Sequence, residues 1–249
     1  SGYGLMQPKM STDLDGARAT PFSRLMCGGG GTDIYSGASF DLYQSLFGEG
    51  IFCGKGIFDV DAFYNTIVLS EFFPDDKILS HDILEGERLR TALLCDVELT
   101  DGFPKNELSY LKRKHRWIRG DIQNLMFLSK KIKVGNKKRK NDLSLLSKYK
   151  LFDNARRAVT PIISLAIIIV SFFWPQPYSA ILFFAAFSPY IIPFVIDTIT
   201  LITTLTVKSA ARKFFSKGVT VGIWQSFLRM LYFSAMLAKD ALMSLGACL

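Results

Sequence analysis

The chain has 249 residues, 49% hydrophobic and 21% charged, with a formal net charge of +8 and a mean hydropathy of +0.22. That length holds one or two domains with ample material for a core. Four cysteines, at 27, 53, 95 and 248, show no C-x-x-C spacing and only two histidines accompany them, which argues against a zinc module or a disulfide framework and for reduced thiols in a cytosolic domain.

The apolar surplus is concentrated in residues 158 to 207, while the first half reads as an ordinary soluble domain, so a membrane protein with a soluble part is expected. The opening "SGYGLMQPKM" has neither an initiator Met nor a basic and apolar leader, and is read as an internal start within a longer polypeptide. Residues 1 to 128 alternate short apolar runs with Gly-rich or polar punctuation. "YGLMQ", "SLFGEGIFCGKGIFDV" and "LLCDVELTD" suggest strands, "MCGGGGTD" a loop, and the longer stretches after Asp61, Ser80 and Asn106 helices, giving a mixed α/β domain. The helix after Ser80 shows no clean amphipathic stripe, because Glu85, Glu87, Arg88 and Arg90 fall on several faces. Packing on more than one side is therefore expected.

From Lys130 to Arg157 there are eleven Lys or Arg against only Asp142 and Asp153. Positive charge directly before an apolar segment marks the cytoplasmic side and anionic headgroups of a lipid bilayer, which sets nucleic acid aside as a partner. "KKIKVGNKKRKN" reads as a mobile loop, and "LSLLSKYKLFDNARR" as a helix along the membrane surface. Ala158 to Trp174 is 17 residues without a charge, near the lower limit for a span, with Pro161 in its first turn. After the "WPQP" turn, Tyr178 to Val207 is a 30-residue run interrupted by Pro189 and Pro193 and carrying Asp197, long enough to cross once with a kink. Lys208, Arg212, Lys213 and Lys217 follow, placing both ends of this hairpin on the cytoplasmic side. The last stretch contains Arg229, Lys239 and Asp240 and fits a third span or an interfacial helix. The expected division is thus a soluble domain over 1–128, a basic juxtamembrane linker and interfacial helix over 129–157, two transmembrane helices over 158–207, and an interfacial or third membrane helix over 208–249.

Taken singly, the polar motifs of the soluble part are ambiguous. Asp82 in "LSHDILEG" stands at a helix start, where it or Ser80 can cap the helix and where the positive end of the helix favours an ionised carboxylate. Gly48, Gly50, Gly54 and Gly56 permit close backbone approach, as a sugar or phosphate pocket requires, but equally make a plain turn. Lys55 can meet an acid or a phosphate. Arg113, Arg116 and Trp117 can hold a diphosphate and stack on a sugar, or form a juxtamembrane basic cluster with an interfacial Trp. "DVD" at 59–61 and "DLD" at 13–15 have the D-x-D form of a metal–diphosphate motif. "DVDAF", however, follows a Gly-rich loop and opens a helix rather than closing an apolar strand. Asp59 and Asp61 are therefore read as structural or acceptor-proximal, and no metal ligand is assigned in this chain.

Read together, "FGEGIFCGKGIFDVDAF" (47–63), "LSHDILEG" (79–86) and "RKHRWIRGDIQ" (113–123) form an ordered set before a basic linker and membrane helices. The set resembles the later half of a processive, cellulose-synthase-like inverting glycosyltransferase, most closely the glycosyltransferase domain of the cyclic beta-1,2-glucan synthases, over roughly residues 1 to 160. The resemblance implies the acceptor-side part of a GT-A-like domain followed by a transmembrane hairpin. It further implies a UDP-glucose donor, a glucan acceptor, the remainder of a synthase polypeptide as partner, and a divalent cation (Mg2+ or Mn2+) with ligands mostly upstream. The expected location is the inner or cytoplasmic membrane, multi-pass, with the catalytic part cytoplasmic. By residue, it implies Asp82 as acceptor base, with His81, where cellulose synthases have Glu, as a hydrogen-bonding neighbour orienting it. Arg116 and Arg113 match a Q-x-x-R-W signature in which Arg113 replaces Gln, Trp117 is the stacking indole, and Gly54 and Lys55 wall the pocket. The competing readings are a related synthase of another beta-glucan or glycolipid, and a catalytically inactive membrane or assembly subunit.

Overall fold

The computed structural model of the chain describes residues 2–27, 42–73, 78, 80–134, 137–205 and 217–249; the expected loop at "GGGGTD" lies outside them. The chain divides into two compact units, one built mainly from Gly30–Arg157 with Ser1–Ser23, the other mainly from Ala158–Ala247.

In the first unit, the expected strands form a three-stranded sheet in the order β2-β1-β3. Strand β1 (Leu5–Thr12) pairs antiparallel with the two-residue β2 (Ile57–Phe58) and parallel with β3 (Thr91–Asp101). The β1–β3 register runs from Leu5↔Thr91 to Pro8↔Leu94 and resumes at Lys9↔Glu98. Pro8 has no N–H to donate, and the ladder breaks where it stands. "SLF" differs from expectation: it falls in helix α3 (Leu42–Phe47), and the chain turns extended only after Gly48. Short helices α1 (Leu14–Arg18) and α2 (Pro21–Met26) follow β1.

Helix α4 (Val60–Phe63) continues into a π-helical turn, Tyr64–Val68. Helix α5 (Asp82–Leu89) buries Ile83, Leu84, Gly86 and Leu89. Ile83 and Leu84 join Phe72, Phe127, Ile132, Leu143 and Leu151 in one apolar cluster, while Leu89 joins Leu5, Phe52 and Ile67 in another. The missing amphipathic stripe thus has the expected cause: α5 is packed on two sides. Helix α6 (Glu107–Asn124) starts at Asn106, whose side chain accepts from the Ser109 N–H at 2.9 Å.

The "KKIKVGNKKRKN" stretch, expected as a mobile loop, contains an antiparallel ladder of β4 (Lys131–Val134) and β5 (Lys137–Lys140). The surface helix and the first span expected after it are one continuous helix, α7 (Leu145–Ser171), so Pro161 lies in its interior rather than its first turn. Helix α7 is the one single helix among the described residues long and apolar enough to cross a membrane. Helices α8 (Tyr178–Ala186) and α9 (Ser188–Leu205) pass the same test only as a pair bent by 63°; the bend comes just before Pro189. Helices α10 (Lys217–Ala235) and α11 (Leu237–Cys248) do not pass it. The Asp197 carboxylate on α9 accepts from Ser226 Oγ at 2.6 Å and lies 3.9 Å from Arg229 on α10, so these two charges are paired between helices.

Lys150, on the first half of α7, is buried: its ammonium donates to Glu87 Oε1 at 2.8 Å, the Gly50 carbonyl at 3.1 Å and Glu49 Oε1 at 3.3 Å. Burial pushes the Glu87 carboxyl up from its ordinary range, and Lys150 only partly opposes this. A raised folded-state value favours the fold below the unfolded carboxylate value and loses that contribution as pH rises through the raised value. Lys150→Met leaves Glu87 buried without its cation and is expected to destabilise the protein by roughly 3–5 kcal/mol. The loss should be steeper at higher pH and partly relieved by adding Glu87→Gln, as read from thermal midpoints of the detergent-solubilised protein between pH 5 and 8.

Candidate functional site

Helix α5 begins without a side-chain cap. His81 occupies the N-cap position and makes no capping bond, and Asp82 is the first helical residue. Among the described residues no hydrogen bond holds the Asp82 carboxylate, and Ser80 contributes its carbonyl, which accepts from Asn124 Nδ2 at 3.0 Å. Neither Asp82 nor Ser80 therefore serves as the cap. What meets the Asp82 carboxylate is Gly54. A methyl group on Gly54 would stand 2.7 Å from Asp82 Oδ2, and Gly54 has φ +86°, so the position requires glycine both for its backbone and for its neighbour. The loop is held there by buried Gln7 of β1, whose Oε1 accepts from the Cys53 N–H at 2.8 Å.

From Gly54 a chain of contacts returns to Asp82. The adjacent Lys55 ammonium donates to Asp101 at the end of β3. That bond, with help from Arg113, holds the Asp101 carboxyl below the usual carboxylate range. Arg113 is half-buried on α6, and burial lowers its pKa while Asp101 opposes the shift. Its guanidinium carbon lies 4.8 Å from the centre of the Trp117 ring and 5.7 Å from that of Phe103, a cation–π arrangement. Arg113, Trp117, Gly120 and Asn124 recur at helical spacing and share one stripe of α6. At Gly120 a methyl group would stand 2.6 Å from Ser80 Cβ, so the helix backbone lies directly against the segment leading into Asp82. Arg116 is off this stripe and exposed, and Trp117 is 40% exposed.

The structure thus brings five of the seven expected residues into one connected frame, with Arg116 exposed beside it. Gly54 and Lys55 join Asp82 to Asp101, and Arg113 and Trp117 run from Asp101 back towards Ser80, two residues before Asp82. His81 is linked differently from expectation. Its Nδ1 lies 2.8 Å from Glu85 Oε1, one turn on, and its ring is 5.5 Å from Phe73, so its partner is Glu85 rather than Asp82. Burial raises the Glu85 pKa; His81 lowers it and nearby Asp82 raises it. The roles of Asp101, Glu85 and Gly120 were not evident from the sequence. Only Gly120 left a signal, since glycine in a helix interior costs stability and calls for a packing reason.

Both D-x-D stretches are engaged in local structure. Asp59 accepts from the Ala62 N–H at 2.7 Å and Asp13 from the Gly16 N–H at 2.9 Å, each capping a short helix. His81, Asp82 and Glu85 place one ligand atom each within 4.8 Å of one another. This set mixes an imidazole with two carboxylates, one of them raised in pKa and bonded to the imidazole. It does not fit the oxygen-rich, largely hydrated coordination that Mg2+ takes at a diphosphate. Chemically, the frame offers a carboxylate uncommitted to backbone beside Gly54, with the Lys55 ammonium and the Arg113 guanidinium gathered at Asp101 and a half-exposed indole face next to Arg113.

No protein-family model matches the chain. The cyclic beta-(1,2)-glucan synthase NdvB of Rhizobium meliloti (strain 1021) is 37% identical to it over 183 residues. The chain is related to that synthase. The matched residues are 73% of this chain and 6% of that protein, so the chain spans only a small part of its relative's length.

Two outcomes check this geometry. Gly54→Ala is expected to cost about 1–3 kcal/mol through its left-handed backbone and the close carboxylate, with faster amide exchange over residues 52–56 and 80–84; an unchanged protein would deny the contact. The Asp101 contribution to stability is present above the unfolded carboxylate value and lost as pH falls through the lowered folded value. Lys55→Met should therefore move the Asp101 titration upward, as followed by its carboxyl carbon chemical shift.

Proposed function

We propose that the chain is the acceptor-side and membrane-entry portion of a membrane-bound inverting glycosyltransferase with a GT-A-like domain, transferring glucose from UDP-glucose to a growing beta-1,2-glucan. The observation that carries this reading is the closure of three sequence-distant motifs around one uncommitted carboxylate, Asp82. The relation to a cyclic beta-(1,2)-glucan synthase supports it.

In this reading a hydroxyl of the acceptor glucan attacks the anomeric carbon of the donor glucose. The new carbon–oxygen bond forms on one face as the bond to the UDP phosphate oxygen breaks on the other, which inverts the configuration. Asp82 accepts the hydroxyl proton, and the bonding electrons leave with UDP. Arg116 and Arg113 neutralise the departing diphosphate. Trp117 presents its face to the apolar side of an acceptor ring, and Gly54 with Lys55 forms the wall beside the base. A divalent cation, Mg2+ or Mn2+, belongs to this chemistry, with ligands supplied from elsewhere in the parent polypeptide; no step assigned to these residues runs through it. The catalytic part faces the cytoplasm, and α7 enters the membrane.

Asp82→Asn in the complete parent protein is expected to lower glucose transfer by roughly 10²–10⁴-fold, the range for losing a general base, with UDP-glucose binding retained. Transfer at the wild-type rate would refute the assignment of the base. Trp117→Ala should raise the KM for the glucan acceptor while leaving donor binding unchanged.

A further inference from the structure

We propose that the β4–β5 hairpin is a binding site for anionic lipid headgroups, a role independent of sugar transfer. Its register places Lys131 opposite Lys140 and Lys133 opposite Lys138. Like charges directly opposed across an antiparallel pair destabilise it. Lys131, Lys138 and Lys140 are exposed, and among the described residues no carboxylate lies within ion-pair reach of them. From Lys130 to Lys140 there are seven cations and no acid.

An isolated two-stranded ribbon is marginal in water, and here the opposite side holds it. Ile132 is 2% exposed and packs in the cluster with Phe127, Leu143 and Leu151. Its cross-strand partner Arg139 donates to the Ser70 carbonyl. The Asn141 side chain, just beyond β5, donates to the carbonyls of Phe127 and Ser129. The backbone that carries the lysines is therefore already ordered, so meeting an anion costs the freedom of their side chains but not that of the strands.

The location favours a lipid surface as that anion. Leu143 and Leu151 fasten the hairpin to the start of α7, the helix that continues into the apolar run. From Leu151 to Arg157, the last charge before that run, is six residues, about 9 Å of helix. The headgroup layer on each side of a bilayer is roughly 5–7 Å deep, and a flexible lysine stem extends the reach of its charge beyond the backbone that carries it. Arg156 and Arg157 already pair with Asp153 and Lys150 with Glu49 and Glu87, so among the described residues most of the block's unneutralised charge is on the hairpin.

The test uses the full chain in nanodiscs of phosphatidylcholine alone or with about one-third phosphatidylglycerol, following amide exchange over residues 131–134 and 137–140. At about five-fold per lysine, three lysines are worth about a hundred-fold in headgroup affinity, so exchange in the anionic discs should be slower by ten-fold or more. High salt should abolish the difference. The triple variant Lys131→Gln, Lys138→Gln, Lys140→Gln should exchange alike in both discs while α5 and α6 keep their protection. Equal exchange of the wild-type hairpin in the two discs would overturn the proposal whether or not the variant folds. Stronger protection by a single-stranded oligonucleotide in neutral discs than by anionic discs would overturn it as well.

Discussion

The ammonium of Lys150 is the point on which the first unit turns. Its three acceptors come from the loop after α3, where Glu49 and Gly50 lead on to Gly54, and from α5, where Glu87 lies five residues after Asp82. Apolar packing around α5 is strong but non-directional, and it does not by itself fix the helix against sliding or rotating as sharply as directed bonds do. Three bonds to one desolvated charge cannot be kept if it does either. The ion network therefore sets where Asp82 stands against Gly54, while the two clusters supply most of the burial.

The two closest approaches to the Asp82 segment are made by main chain. At Gly54 and Gly120 the main chain itself meets a neighbour, so the loop and helix α6 approach the Asp82 segment more closely than any side chain permits. The cations lie further out, tied to one another through Asp101. This leaves a rigid inner contact and an outer, more exposed rim of Lys55, Arg116 and Trp117, a division suited to holding a proton acceptor still while larger ligands come and go.

Strand β3, the helices after Asp61, Ser80 and Asn106, and the two-sided packing of α5 were all legible in the sequence, because each follows from apolar periodicity or its absence. The lysine hairpin was not. Its order depends on Ile132 reaching a distant core and Arg139 reaching Ser70, and neither leaves a local trace. Lys150 was hidden inside a basic block, since a count of charges does not say which ammonium turns inward. The Asp59 and Asp13 stretches show the converse: a pattern suited to metal chemistry is also the pattern of a helix cap, and only the position of the following N–H separates them. The three-motif order made the neighbourhood of Asp82 legible, while its geometry, in which His81 pairs with Glu85, is set by tertiary packing that leaves no local pattern.

The interrupted register between β1 and β3 bears on how such a site tolerates change. Residues 91–94 and 98–101 are each aligned with β1, and Cys95, Asp96 and Val97 form an excursion between them. One aligned segment anchors the end of α5, and the other presents Asp101 to Lys55 and Arg113. Because the excursion is exposed and outside the ladder, its length and composition can vary without unpairing either side. The strand thus behaves as two separately anchored pieces joined by an adjustable spacer, a place where the breadth of the rim can drift in evolution while the carboxylate and its glycine stay in register.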